Sequence, residues 1–240
     1  VPAPTAQPDP APPETAQPEP AKPELVVLIH GIGSTRWLLW PLARRLQRAG
    51  YATRLWGYFS LLGSNRQIGR RLAGHLRRLA ESGEYGRVHI VAHSMGGIAT
   101  RCALAEFEQL GERTPHLLGR IVMVGTPNRG SHTATQLTRL HGRLSPTLYE
   151  LRDTPDSFVN NLPAPPEHVE IGVIATRADR VVALDATHLP GQRDHCLVEG
   201  MHTGALWTPE CAGQVEHFLR HGEFHRADAP ARLTERAVLS

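Results

Sequence analysis

Between Glu24 and His221 the chain alternates short apolar runs with segments of helical period, and this alternation limits the fold more than any other feature. Glu24 to His30 (ELVVLIH), Tyr51 to Tyr58, Arg87 to His93, Arg120 to Gly125, Val169 to Thr176 and His195 to Glu199 each have strand length. Several carry apolar residues at consecutive positions, the pattern of a strand covered on both faces. Leu38 to Arg48, Asn65 to Ala80, Met95 to Phe107 and Cys211 to His221 read as helices; in the second, Ile68, Leu72, Leu76 and Leu79 fall on one face. Strands buried on both sides and separated by helices imply an α/β fold: a minimal, mostly parallel six-stranded sheet with helices on both faces. In such sheets ligands bind outside the carboxyl ends of the strands.

With 240 residues, 40% of them hydrophobic, the chain can bury one sizeable core, assigned here to residues 24–222. Residues 1–23 are rich in Pro, Ala, Glu, Gln and Thr, cannot supply a core, and read as a flexible tether. A tether at a non-Met start fits an upstream export signal or membrane anchor, and equally a trimmed or alternative start. Exported, envelope-associated and cytoplasmic locations therefore stay open. Residues 126–168 read as a Pro-interrupted crossover that could cap or wall a site, and 223–240 as a fraying tail. The net charge of +3 comes with arginines scattered along helices without interleaved aromatics, which argues against nucleic-acid binding. Cys102, Cys196 and Cys211 form neither a disulfide framework nor a zinc pattern, leaving a Cys196 to Cys211 bridge as the open pairing. No apolar run approaches the roughly 20 residues needed to cross a bilayer.

The third strand breaks abruptly at Ala92-His93-Ser94-Met95-Gly96-Gly97. Small residues two before and two after Ser94 let a strand and a helix meet in a tight turn that presents the hydroxyl, an A-x-S-x-G form of the nucleophile elbow. The pentapeptide alone leaves an ordinary helix N-cap equally open. A nucleophilic serine needs an imidazole and a carboxylate. The chain has 14 histidines, so position must decide among them. His202 follows the last strand in EGMHTG, at the same sheet edge as Ser94, whereas His195 enters that strand from the other end. His30 and His93 read as structural hydrogen-bonding groups. Asp179 follows the fifth strand in TRADRVV; its rivals are Asp185 and Asp194, and a plain turn-forming role is the alternative. The order Ser, Asp, His is the one expected of this sheet type. Developing charge on a carbonyl oxygen would need fixed donors, assigned to the backbone N–H groups of Met95 and Ile32. Ile32 lies in His30-Gly31-Ile32-Gly33-Ser34, where Gly31 and Gly33 let the loop bend inward; this loop lacks the spacing of a nucleotide cradle. Trp37 and Leu38 follow it and could line a groove for a chain of methylenes, while Leu39 and Trp40 read at least as well as helix packing.

HGIGS at 30–34, AHSMGG at 92–97, VGTPNRGS at 124–131, TRADRVV at 176–182 and EGMHTG at 199–204 together resemble the bacterial α/β-hydrolase lipases and esterases, in particular small lidless ones. The resemblance covers roughly Leu25 to Leu219. It implies the α/β-hydrolase fold, carboxylic-ester hydrolysis by Ser94, Asp179 and His202, an oxyanion hole at Ile32 and Met95, and a small-molecule ester or lipid substrate of moderate acyl length. The absence of a recognisable lid weighs against interfacial activation. No ligand cluster matches the family's metal sites, so neither metal nor cofactor is expected. Acyl transfer or thioester hydrolysis on the same residues is the related alternative. A non-catalytic lipid-binding or chaperone role is the unrelated one, against which the intact Ser, Asp and His set argues.

Overall fold

Each central strand feeds two cores at once. In the computed structural model, which describes residues 21–61, 63–141 and 145–226, β1 (Glu24–Ile29) sends Val26 and Leu28 to one side of the sheet. Leu25, Val27 and Ile29 go to the other side. The same alternation places Val91 of β3 (Arg87–His93) and Val122 and Val124 of β4 (Leu118–Val124) in the first core. Val88, Ile90, Ile121 and Met123 enter the second. The period-two geometry of a strand makes this split unavoidable once every position is apolar. Helices α1 (Trp40–Arg48) and α6 (Pro209–His221) cover the first face, contributing Leu42, Leu46, Val215 and Phe218. Helices α2 (Asn65–Ser82) and α3 (Met95–Gln109) cover the second through Leu72, Leu76, Leu104 and Phe107.

The remaining strands are β2 (Ala52–Trp56), β5 (Ile171–Thr176) and β6 (Asp194–Val198). The sheet order is β2-β1-β3-β4-β5-β6. Every pairing is parallel, so the expected "mostly" becomes "entirely". The chain steps outward from β1 to β2, returns to β3 on the other side of β1, and then runs on to β6. The direction of winding therefore reverses between β1 and β3. Loops leaving those two neighbours diverge and open a crevice at their carboxyl ends.

Element ends follow local chemistry. Helix α2 opens on a capping box, Ser64 accepting from the Gln67 N–H while Gln67 accepts from the Ser64 N–H, and closes on left-handed Gly83. Helix α6 begins at Pro209, before the expected Cys211, because Thr208 accepts the Cys211 N–H at 3.2 Å and Pro209 sits where no N–H is needed. The crossover at 126–168 contains α4 (His132–His141) and α5 (Pro146–Glu150). Buried Arg101 fastens this crossover to α3 by donating to the Asn128 and Leu162 carbonyls at 2.9 and 3.1 Å.

One expectation needs correction and one open pairing is decided. The packed body runs past residue 222: Phe224 is buried beside Phe218, and its N–H donates to Asp194 at 2.8 Å. Arg226 also reaches Asp194, at 2.6 Å. The sequence there lacks periodicity because a single aromatic and one carboxylate, not a helical face, hold it. Cys196 and Cys211 are free thiols, as is Cys102; burial pushes all three up to about 12. The tether assigned to 1–23 lies outside the described residues up to residue 20, and the tail does so from residue 227. No helix among the described residues is long and apolar enough to cross a membrane.

Candidate active site

Strand β3 ends in a turn that strains one residue. Ser94 sits at φ 54°, ψ −127°, the one non-glycine residue with positive φ among those described. A side chain in that region costs about 1–3 kcal/mol, so the surroundings must enforce it. They do so from both sides: the Ser94 N–H donates to the Val124 carbonyl at 2.9 Å, and the Ser94 carbonyl accepts from the Gly97 N–H at 3.0 Å. Helix α3 then starts so close to β1 that a Cβ on Gly96 would lie 2.7 Å from the Ile29 carbonyl oxygen. The spacing of small residues around Ser94 thus has a steric cause. Ser94 itself caps nothing with its side chain, which sets aside the plain N-cap alternative.

The loops after β5 and β6 bring Asp179 and His202 to the same edge. His202 Nε2 lies 3.0 Å from Ser94 Oγ, and its Nδ1 lies 2.7 Å from Asp179 Oδ2. The carboxylate is over-determined: Oδ2 also accepts from the Thr176 hydroxyl at 3.0 Å, and Oδ1 accepts from the Val181 and Val182 N–H groups at 2.8 and 2.9 Å. Burial opposes ionisation of Asp179, but the hydrogen bond and charge of His202 and the two N–H donors outweigh it. Its pKa is held below the usual carboxylate range. An ionised Asp179 fixes the proton on His202 Nδ1 and leaves Nε2 free to accept from the serine hydroxyl.

A second layer holds the histidine loop. His93 is buried, and its Nε2–H donates to the His202 carbonyl at 3.1 Å. Burial, reinforced by the neighbouring His202, depresses its pKa to about 3, so it stays neutral. Beneath the pair, Gly125 at φ 58° leaves the space they fill. A Cβ there would lie 3.2 Å from His202 Nδ1 and 3.5 Å from Asp179 Oδ2. Neither Gly125, within VGTPNRGS, nor Thr176, within TRADRVV, is given a task by the local sequence. The signal available was a glycine directly following a buried strand.

The loop after β1 runs over the serine: a Cβ on Gly31 would lie 2.8 Å from Ser94 Cβ. His30 holds this loop by pairing Nδ1 with the Gly31 carbonyl at 2.9 Å, while Tyr58 donates to the His30 carbonyl at 2.6 Å. The Ile32 and Met95 N–H groups have no protein acceptor among the described residues, whereas Gly33, at φ 66°, donates to Ser60 Oγ at 3.0 Å. Exposed Trp37 lines a cleft beside this loop. Leu38 does not: it packs against the core under α1, and its carbonyl accepts from Trp207 Nε1 at 3.2 Å. The first turn after the loop is too tight to leave both neighbours facing solvent. The rivals also separate. Asp185 is exposed on a short turn, and Asp194 lies at the opposite sheet edge, as does His195. Among the described residues no group of three or more His, Cys, Asp or Glu side chains is placed to hold a metal ion.

A family model described as the alpha/beta hydrolase family matches residues 26–234. The chain belongs to the alpha/beta hydrolase family. The family fold accounts for the parallel sheet with helices on both faces. Solved structures share the fold at low identity. The mature lipase BlEst2 of Bacillus licheniformis is 20% identical with a TM-score of 0.61, over 80% of this chain and 89% of that one. Lipase B of Aspergillus fumigatus is 15% identical with a TM-score of 0.64, over 83% of this chain and 53% of the larger protein. The thioesterase RedJ of Streptomyces coelicolor is 16% identical with a TM-score of 0.56, over 92% and 96% of the two chains. A search of curated proteins finds no match in sequence.

Proposed function

We propose that this hydrolase cleaves carboxylic esters through a covalent acyl-enzyme. The unbroken hydrogen-bond chain from Asp179 through His202 to a backbone-strained Ser94 carries the reading. Ser94 Oγ attacks the carbonyl carbon while its proton passes to His202 Nε2. Asp179, kept ionised, stabilises the imidazolium that results. The carbonyl oxygen, now an anion, takes hydrogen bonds from the Ile32 and Met95 N–H groups. As the tetrahedral adduct collapses, the C–O bond to the alcohol breaks and His202 returns the proton to the departing oxygen. Water then repeats the sequence on the acyl-serine, releasing the acid and restoring the Ser94 hydroxyl.

The fold similarity to BlEst2 supports an ester and that to RedJ keeps thioesters in the assay panel, since these residues act on the carbonyl whatever leaves it. The test is labelling by a fluorophosphonate probe together with hydrolysis of p-nitrophenyl esters of graded chain length and of acyl thioesters. Labelling and turnover are expected, and both should vanish in Ser94→Ala. An unlabelled wild-type protein would instead mark a binding protein built on a hydrolase fold.

A further inference from the structure

The cleft beside the loop after β1 combines two properties that a purely neutral ester would not need together. It encloses about 610 Å³ between that loop and the loop joining β2 to α2. Its apolar surface comes from Trp37, Tyr58, Phe59 and Leu61. Phe59 is 75% exposed and Trp37 62%, so these rings face open cleft and not the core. Its charged lining is Arg36 and Arg71, and none of the described lining residues is acidic. Neither arginine has a carboxylate within ion-pair distance among the described residues, in contrast to Arg70 and Arg77 on the same helix, which pair with Glu106 and Glu112. The Arg36 stem lies along Gly57 and its guanidinium sits 5.2 Å from the Trp37 ring centre, which sets it at the wall of the cleft. The walls are tied together at their base by the bond from the Gly33 N–H to Ser60 Oγ, and Ser60 in turn accepts from Thr147. The cleft is therefore a built feature, continuous with the loop that touches Ser94.

We propose that this cleft selects esters bearing both an apolar chain and an anionic group, with the aromatic wall taking the chain and Arg36 and Arg71 reading the phosphate or carboxylate. The inference rests on Ser94 being the nucleophile only for what happens after binding. Removing the chain from water supplies affinity in proportion to its methylenes, while two unpaired guanidiniums supply discrimination between charged and neutral versions of the same chain.

Binding is read first in Ser94→Ala, where no turnover interferes, by titration calorimetry with decyl phosphate and decyl glucoside below their aggregation limits. Decyl phosphate is expected to bind about tenfold more tightly at low salt. The preference should disappear in Arg36→Gln/Arg71→Gln, return in Arg36→Lys/Arg71→Lys, and fade at high salt, while Phe59→Ala weakens both ligands alike. Circular dichroism melts check that each variant is folded. Equal binding of the two ligands, or a preference that survives the double glutamine variant, would overturn the proposal. Turnover by the wild type then locates the charge. A p-nitrophenyl ester with a terminal carboxylate on its acyl chain is compared with the plain acyl ester, and a lysophosphatidylglycerol with its monoglyceride. Faster cleavage in the first pair places the anion on the acyl part and in the second on the alcohol part; no advantage in either overturns it. A failed fluorophosphonate reaction with an intact decyl phosphate preference would refute the hydrolase reading and leave the cleft standing.

Discussion

Among the places where a histidine meets a hydroxyl, two that each lie beside an aspartate differ in what the hydroxyl is left to do. At the carboxyl edge His202 Nε2 lies 3.0 Å from Ser94 Oγ. Near the amino edge His195 Nε2 lies 2.9 Å from Thr187 Oγ1, with Asp194 next to it in the chain. The Thr187 hydroxyl already donates to the Leu184 carbonyl at 2.6 Å. Asp194 is engaged by the Phe224 and His195 N–H groups and by Arg226, and the His195 ring stacks on His188 with centres 4.1 Å apart. The Thr187 hydroxyl proton and the Asp194 carboxylate are both committed to bonds within the protein, which holds the body together and leaves that hydroxyl no free proton to give up. At Ser94 the backbone is strained, the side chain caps nothing, and neighbouring N–H donors lack acceptors among the described residues. Residue types alone do not separate these two places; unfilled hydrogen-bonding capacity does.

The strongest way to break the contrast is Asp179→Asn, which keeps shape and removes the charge that selects the His202 tautomer. A loss of about 10⁴ in kcat on a p-nitrophenyl ester is expected, as for the corresponding change in serine proteases. Near-normal turnover would move the acid elsewhere. Next in size is Gly125→Ala, whose methyl would press on the His202 ring from a backbone that disfavours it. A misplacement of about 1 Å costs about 10² in rate, so kcat should fall by up to that factor while fluorophosphonate labelling slows in parallel.

The sign of the acid dependence sharpens the comparison further. His93 has a folded pKa of about 3 against an ordinary value of 6.5, so the unfolded chain binds the extra proton between those values and stability falls as pH drops through them. Denaturation by urea should lose up to about 1.4 kcal/mol per pH unit from this group within that window, and His93→Gln should flatten the slope. Asp179 and Asp194 act from lower pH: their folded pKa values lie below the ordinary 3.8, so their contribution is present above that value and is lost as pH falls through the folded values. The smallest expected effect is at the quiet pair. Thr187→Val should leave kcat/KM within about twofold while lowering Tm by about 2–4 °C, the size of one buried hydrogen bond in a domain of this length. A large loss of activity there would erase the distinction between the two histidines.

Much of this was legible from residue order. The six strands were readable because several, such as ELVVLIH and RVHIVAH, carry runs of successive apolar positions and the rest have strand length between helical segments, and a parallel sheet then puts every residue that follows a strand at one edge. That is why Ser94, Asp179 and His202 could be grouped before any coordinates. What escaped were features that depend on a partner distant in sequence. Phe224 looks like tail until Phe218 and Asp194 are seen beside it, and Leu38 looks like groove until a 3-10 turn over Arg36–Leu39 rotates it inward. The early start of α6 is encoded in Thr208-Pro209, a capping hydroxyl followed by a proline at the first helical position. Gly125 owes its role to two side chains arriving from other loops, a relation no local pattern encodes.

The bond between Arg226 and Asp194 has a practical corollary, since Asp194 opens β6 and Lys22 sits beside Gly86 just ahead of β3. Both described ends of the polypeptide thus meet the body at the pole opposite the serine. A carrier, bead or fusion partner joined directly at residue 21 or 226 would attach on that side, away from Ser94.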